Sequence, residues 1–338
     1  MALAMLGIAP GERGAGRLDR PAGKDQAAGR AGRDVFDECK TLPTEQINPA
    51  TAEIDLASPL EIARLMNAEE SLVAGAVEKE LPQIAEAIER IVRTLRNGGR
   101  LFYIGAGTSG RIGCLDASEI PPTFGAPPWM VQGIVAGGAA ALLRSREGAE
   151  DRAEDAPRDL ALRGFCSGDF LVGLAASRRT PYVLAALRHA RSLGAQTTLI
   201  TCSPPDGEID SVDVLIAPLV GPEAIMGSTR LKSATAQKMI CNMLTTASMI
   251  RLGKVYRNMM VDLQLSCGKL EERAKRVIML ATGAPYEEAA ELLAQAGGSV
   301  KRALAMRALR CASREADAAL ERAGGFVRAA IEAPRDPS

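Results

Sequence analysis

Aromatic side chains are scarce in this sequence: Phe, Tyr and Trp together make up 3%, with a single Trp. A core must therefore be filled by Ala, Leu, Ile, Val and Met. Histidine is scarcer still. His189 is the sole one, flanked by Arg188 and Arg191, which excludes any mechanism needing two imidazoles and reads as a solvated helix residue. The seven cysteines lie apart at 39, 114, 166, 202, 241, 267 and 311, with no Cys-x-x-Cys pair. That odd, dispersed set fits reduced thiols in a cytoplasmic protein, and with one His it provides no zinc or other metal site. An excess of charge is missing too: Lys+Arg and Asp+Glu are 41 each. A broad nucleic-acid footprint would need a basic surplus, whereas a local phosphate site would not. No apolar run reaches the roughly 18 residues of a membrane-spanning helix. Met1 to Pro10 is mildly apolar, but no basic residue precedes it, so it is a poor secretory signal.

What remains is the balance of an ordinary folded protein, 47% apolar and 24% charged over 338 residues. At roughly 150 residues per domain, this is about two domains, or one large domain with an appendage. Residues 1–40 are rich in Gly, Ala and Arg without hydrophobic period and are expected to form a disordered leader. From Thr44 the pattern changes. Ser58 followed by Pro59 is an N-cap with Pro at the first helical position, and Leu60, Ile62, Ala63, Leu65 and Met66 supply a helical stripe. A longer helix is expected from Leu72 to Asn97, ended by Gly98-Gly99.

Short strand-like segments at 100–104, 131–135, 170–174, 196–201 and 212–217 then alternate with helical patterns. Such alternation predicts an α/β fold, a doubly wound parallel sheet of five strands covered on both faces. Thr229 to Arg251 is expected as one long helix with a Met-rich face, fit for a core or a subunit contact. Everything after Lys269 has helical pattern. The expected organisation is a leader (1–40), an α/β domain (41–270) and a small C-terminal helical unit (271–338).

Two loops carry the first candidate site residues. Gly105-Ala-Gly107-Thr108-Ser109-Gly110 follows a strand and opens a helix, where backbone N–H groups and two hydroxyls can meet an anion. Its spacing is neither Gly-x-Gly-x-x-Gly nor a Walker loop, so a small phosphate ester fits better than a nucleotide. Ala175-Ala-Ser177-Arg-Arg-Thr180 follows the third strand and has a similar make-up. Loops at the carboxyl ends of parallel strands are where open α/β sheets bind ligands. Ser228-Thr-Arg230-Leu-Lys232 precedes the long helix; Ser228 can be its N-cap, or Arg230 or Lys232 can supply charge to a phosphate.

Carboxylates occur at Asp116-Ala-Ser-Glu119, ahead of a Pro121-Pro122 corner, and at Glu147-Gly-Ala-Glu150-Asp151. By composition alone these are solvated surface groups. Two carboxylates in different environments can instead divide acid and base work.

These motifs together resemble the N-acetylmuramic acid 6-phosphate etherases. The resemblance is carried by Thr44-Glu45, Asn48 and Ile54-Asp55, by Tyr103-Ile-Gly-Ala-Gly-Thr-Ser-Gly-Arg111 and Leu115-Asp-Ala-Ser-Glu119, and by Pro121-Pro-Thr-Phe-Gly125 and Glu147-Gly-Ala-Glu-Asp151. Arg179-Thr-Pro-Tyr182, Gly227-Ser-Thr-Arg230, Thr235-Ala-Gln-Lys238 and Gly253-Lys-Val-Tyr256 extend it over residues 44–330. It implies the sugar isomerase (SIS) fold, a phosphosugar substrate, a homodimer and no cofactor. It implies a carbon–oxygen lyase that releases D-lactate from its substrate and leaves N-acetylglucosamine 6-phosphate, a step of cell-wall amino sugar recycling. Under the resemblance Glu119 takes the proton-donor role and Glu150 that of the second catalytic carboxylate; Gly107, Thr108, Ser109, Gly110, Ser177, Thr180, Ser228 and Lys232 are the expected phosphosugar contacts. Residues 281–304 resemble the small three-helix unit of these enzymes, similar to ubiquitin-associated domains.

One departure stands out: the family's second loop has Gly where this chain has Arg178. Three other readings compete. A SIS-type sugar-phosphate isomerase would lack the Glu119 and Glu150 motifs. A non-enzymatic, phosphosugar-sensing regulator of a sugar kinase would carry two complete SIS domains. A nucleotide-binding oxidoreductase is disfavoured by the first glycine loop.

Overall fold

The computed structural model describes residues 40–204, 207, 209–265 and 267–332. The chain divides into Met1–Thr41 and Leu42–Ser338. Of the first unit only Lys40 and Thr41 are described, as part of an exposed turn, so the leader expected over residues 1–40 lies almost wholly outside the described residues.

The second unit opens with three short 3-10 turns, Pro43–Glu45, Pro49–Thr51 and Ile54–Leu56. Helix α1 (Pro59–Glu70) starts at the expected cap: Ser58 and Glu61 form a reciprocal capping box, with Pro59 in the first turn. Its apolar stripe is not the buried side, however. Leu60 is exposed, and the one buried residue is Glu69.

The helix expected from Leu72 to Asn97 is two helices, α2 (Val73–Glu78) and α3 (Leu81–Arg96). Pro82 has no N–H to give to the carbonyl four residues back, so the helix restarts there. The Glu80 carboxylate at the break accepts the Ala217 N–H at 2.9 Å. In α3, Ile84, Ile91, Val92 and Leu95 recur on one face and are buried, each removal of such a side chain from water contributing about 1.5–3 kcal/mol.

Five parallel strands follow: β1 (Leu101–Gly105), β2 (Val131–Val135), β3 (Phe170–Leu174), β4 (Gln196–Ile200) and β5 (Val214–Ile216). Their order is β2-β1-β3-β4-β5, so the direction of winding reverses between β1 and β3. Between the strands lie α4 (Gly107–Phe124), α5 (Ala140–Leu143), α6 (Asp155–Leu162) and α7 (Pro181–Ser192), and α8 (Lys232–Arg251) follows β5. Alternate strand residues feed two cores. Leu101, Tyr103 and Val172 pack with α3, α4 and α8, while Phe102, Ile104 and Leu171 pack with α6 and α7 on the other face. The expected doubly wound α/β sheet is therefore present.

Helix α4 runs through Pro121 and Pro122 instead of stopping at a corner, and Gly125 closes it in the left-handed conformation (φ 60°). Both prolines sit in its last turn; their missing N–H groups leave the Ala117 and Ser118 carbonyls without helical donors, and the helix ends two residues later. Helix α8 begins three residues later than expected; Leu231, not Ser228, is its N-cap residue.

A hairpin of β6 (Val255–Tyr256) and β7 (Met259–Met260), not anticipated from the sequence, leads to five helices: α9 (Gly268–Thr282), α10 (Tyr286–Gln295), α11 (Val300–Leu309), α12 (Ser313–Arg322) and α13 (Val327–Glu332). These share a core of their own, which begins at Tyr256 and ends at Ala330.

Candidate active site

The sheet register brings the two hydroxyl-bearing loops together. Gly105 at the end of β1 pairs with Leu174 at the end of β3. Ala106 and Ala175 therefore start their loops on adjacent strands, about 4.8 Å apart in the hydrogen-bonding direction.

The glycines of the first loop have separate jobs. A Cβ on Gly110 would sit 2.5 Å from the Gly105 oxygen and 2.8 Å from the Val135 side chain; one on Gly105 would sit 2.6 Å from the Gly110 nitrogen. These two glycines let α4 press onto the strand ends, so Gly110 is a packing residue. Gly107 differs. It is left-handed (φ 53°), and nothing lies within 4 Å of where its Cβ would be. Open space thus adjoins the first turn of α4, whose unpaired N–H groups and dipole favour an anion. Thr108 and Ser109 are half-buried in that turn.

In the second loop the Ala175 N–H is fixed to the Ile200 carbonyl at 3.0 Å, and Arg178 N–H closes a turn onto Ala175 at 3.1 Å. Arg178 holds φ 55°, a conformation suited to the glycine expected there, and its guanidinium donates to the Pro204 carbonyl. Thr180 is the N-cap residue of α7, yet its hydroxyl makes no capping bond. Among the described residues no hydrogen bond engages the hydroxyls of Thr108, Ser109, Ser177 or Thr180. Cys202 lies beside this loop, its N–H bonded to the Ala176 carbonyl. Burial pushes its thiol up to about 12, which makes it a poor nucleophile.

Glu150 reaches the second loop through its backbone: its carbonyl accepts the Tyr182 N–H at 3.0 Å in the first turn of α7. Its side chain is exposed. Glu119, also exposed, is on α4, ten residues beyond Ser109. At 1.5 Å rise per residue, that is about 15 Å along the helix axis. Glu150 and the second loop thus belong to one place in the chain, and Glu119 to another.

Glu119 stands one turn past Asp116, which is buried rather than solvated. Burial raises the Asp116 carboxyl above its usual range, against hydrogen bonds from Thr245 Oγ1 at 2.9 Å and Asn242 Nδ2 at 2.6 Å. The signal was in the sequence: Asp116 falls midway between Ile112 and Ile120, four residues from each, on the inward stripe of α4.

Ser228 lies in the connection after β5, and Lys232 opens α8 next to Ser233, whose carbonyl faces the Cys202 thiol beside the second loop. Ser228 is half-buried and caps nothing. The first N–H groups of α8, from Lys232 and Ser233, both go to the Glu223 carboxylate at 2.9 Å. The Lys232 side chain is buried, and its ammonium meets Glu69 at 2.5 Å. Its charge is answered inside the protein by the Glu69 carboxylate. Asn48, Glu69 and Glu223 were not singled out for this pairing from sequence; partners this far apart in the chain leave no local periodic signal.

Beside Asp116's partners, α3 and α8 form an open groove of 710 Å³ lined by Leu81, Ile88, Asn242, Met243 and Ile250. No described helix is long and apolar enough to cross a membrane.

The doubly wound parallel sheet carries two hydroxyl-bearing loops at its winding reversal, and residues 83–191 place it in the SIS class of α/β domain, matching the family model described as the glucokinase regulatory protein N-terminal SIS domain. A phosphoheptose isomerase structure from Neisseria gonorrhoeae aligns at TM-score 0.40 and 16% identity, over 56% of this chain and 98% of its own. The chain is 56% identical to an N-acetylmuramic acid 6-phosphate etherase of Symbiobacterium thermophilum, over 79% of this chain and 89% of that protein. It is 51% identical to the one of Salinibacter ruber, over 88% and 96%. The chain belongs to the N-acetylmuramic acid 6-phosphate etherase family.

Proposed function

We propose that this protein cleaves the D-lactyl ether of N-acetylmuramic acid 6-phosphate, releasing D-lactate and N-acetylglucosamine 6-phosphate. Identity of about half the residues with etherases over most of both chains is the observation that carries this reading. In the open-chain aldehyde, the C2 proton is acidic because the carbanion delocalises into the carbonyl. A base removes it, the C3–O bond breaks with its electron pair on the lactyl oxygen, and an acid protonates that oxygen. Water then adds at C3 and a proton returns to C2. Proton transfers of this kind suit two carboxylates, and the enolate forms without a metal or redox cofactor.

The phosphate is assigned to the first turn of α4, with Gly107, Thr108 and Ser109, and to Ser177 and Thr180 across from it. Gly110 shapes that turn. Ser228 is assigned to the sugar from the third loop, and Lys232 supports that loop from behind. Glu150 and Glu119 divide the proton work, Glu119 as donor to the departing lactate.

The distance of Glu119 from Ser109 along α4 favours a homodimer in which each active site takes Glu119 from the partner copy. Asn242 binds Asp116 and also lines the α3–α8 groove, so the Glu119 turn lies near the surface on which a second copy would pack. The dispersed cysteines support a cytoplasmic, reduced setting. Residues 271–338 are proposed as a separate helical unit.

Lactate release and C2 proton exchange, measured separately, test the assignment. Glu119→Gln and Glu150→Gln are each expected to lose about 10²- to 10⁴-fold in lactate release. Glu147→Gln, three residues from Glu150, is the control and is expected to be mild. Near wild-type lactate release in both folded variants would refute the site.

A further inference from the structure

The connection between β5 and α8 is gripped by a segment that the proposed chemistry does not use, the turns between Pro43 and Leu56 together with the end of α1. Gly227 N–H donates to the Thr44 carbonyl at 3.0 Å. Asn48 Nδ2 donates to the Pro222 carbonyl at 3.2 Å and to Glu69 Oε2 at 2.7 Å, while Asn48 Oδ1 accepts the Ala50 N–H at 2.9 Å. Thr51 Oγ1 donates to the Ala224 carbonyl at 2.9 Å. Glu69 also receives the Lys232 ammonium, and Glu223, inside the connection, accepts two α8 backbone N–H groups and the Ser233 hydroxyl.

These partners are nearly inaccessible: Asn48, Thr51 and Glu69 are 5–8% exposed, Glu223 0% and Lys232 1%. Burial works to raise the Glu69 carboxyl, but hydrogen bonds from Lys232 and Asn48 outweigh it and hold the group below its ordinary value. The crown of the same connection, Ile225, Met226 and Gly227, is exposed. A buried polar network of this kind is a costly way to gain stability and an effective way to fix one geometry. Its feet are fixed while its crown faces solvent at the carboxyl edge of the sheet, where ligands of such sheets bind.

We infer that Asn48, Glu69 and Lys232 are positioning residues: they lock the 222–231 connection so that the Gly227–Arg230 turn meets the sugar. The inference rests on the reading of Ser228 as a substrate contact. It gives the Thr44-Glu45 and Asn48 motif a role in substrate binding although, among the described residues, none of them hydrogen-bonds to the proposed phosphate loops. Lys232 acts through Glu69, and a phosphate contact is not part of its role.

The test compares wild type with Asn48→Ala and with the double variant Glu69→Met/Lys232→Met, which removes both buried charges together and so avoids leaving one unpaired. Steady-state lactate release from N-acetylmuramic acid 6-phosphate gives KM and kcat, and amide exchange is followed along the chain. Both variants are expected to raise KM about tenfold or more, as loss of a charge-assisted hydrogen bond would, with kcat within about twofold. Exchange should quicken in 222–231 and not in β1 or β3. Unchanged KM in both variants overturns the inference, even where Ser228→Ala raises KM. Raised KM in both with Ser228→Ala unaffected keeps the strap and removes the Ser228 contact. If wild type releases no lactate, the proposed function has failed, and unaltered exchange in 222–231 of both variants then overturns the strap by itself.

Discussion

Arg178 shows most directly how a single residue tests the site. Its φ of 55° costs an L-residue with a Cβ about 1–2 kcal/mol, partly offset by its bond to the Pro204 carbonyl. Arg178→Gly is therefore expected to raise unfolding stability by about 1 kcal/mol in urea titration and to bind the phosphosugar at least as tightly. A clear loss of affinity would make the arginine a ligand contact in this chain. Position 178 was legible beforehand as the place of a glycine, because the loop pattern on either side of it is intact. The burial of Asp116 departs from the solvated place expected for it, and Lys232 pairs inside the protein with Glu69. Asp116 belongs to a helix whose inward stripe includes it, and the general rule that carboxylates are solvated gave way to hydrogen bonds from α8. Lys232 has no local feature that announces Glu69, its partner 163 residues away.

At the level of elements, the β1–α4 turn separates packing from binding within a few residues. Gly110→Ala would drive a methyl group into the Gly105 oxygen and Val135, and is expected to lower stability by about 2 kcal/mol or more, as overpacking does. Gly107→Ala meets open space and only its φ resists, so it should stay folded, lose about 1–2 kcal/mol and raise KM by intruding on the anion site. Thermal melts beside steady-state kinetics distinguish the two; a Gly107→Ala enzyme with unchanged KM would move the phosphate elsewhere. β1, β3 and β5 were legible as short apolar runs, as burial on both faces demands, whereas β2 and β4 carry Gln132, Gln196, Thr197 and Thr198 and were legible from the alternation with helices. Proline misled twice, in opposite directions. Pro82 restarts a helix that periodicity alone would continue, whereas Pro121 and Pro122 fall in a final turn that tolerates them. The β6–β7 hairpin is two residues per strand, too short for any period to show.

For the whole molecule, the fold class was legible because alternation of strand and helix patterns admits few topologies. The relation between Glu119 and Glu150 was not, since sequence spacing does not say that a helix carries one carboxylate away from the loop beside the other. The proposed sharing of sites between copies makes a sharp prediction. Glu119→Gln and Glu150→Gln proteins, each inactive, should regain lactate release when co-refolded, because a mixed dimer then holds one site with both carboxylates. No recovery from demonstrated mixed dimers would place both carboxylates in the same copy. Met243→Glu, in the groove between α3 and α8, should yield monomers by sedimentation and abolish turnover; a fully active monomer would contradict the shared site. The central claim, ether cleavage by elimination and hydration, is tested most directly by turnover of N-acetylmuramic acid 6-phosphate in ¹⁸O-labelled deuterium oxide. Elimination and hydration give D-lactate without ¹⁸O, and N-acetylglucosamine 6-phosphate carrying ¹⁸O at C3 and deuterium at C2. Label in the lactate, or no lactate at all, would contradict it.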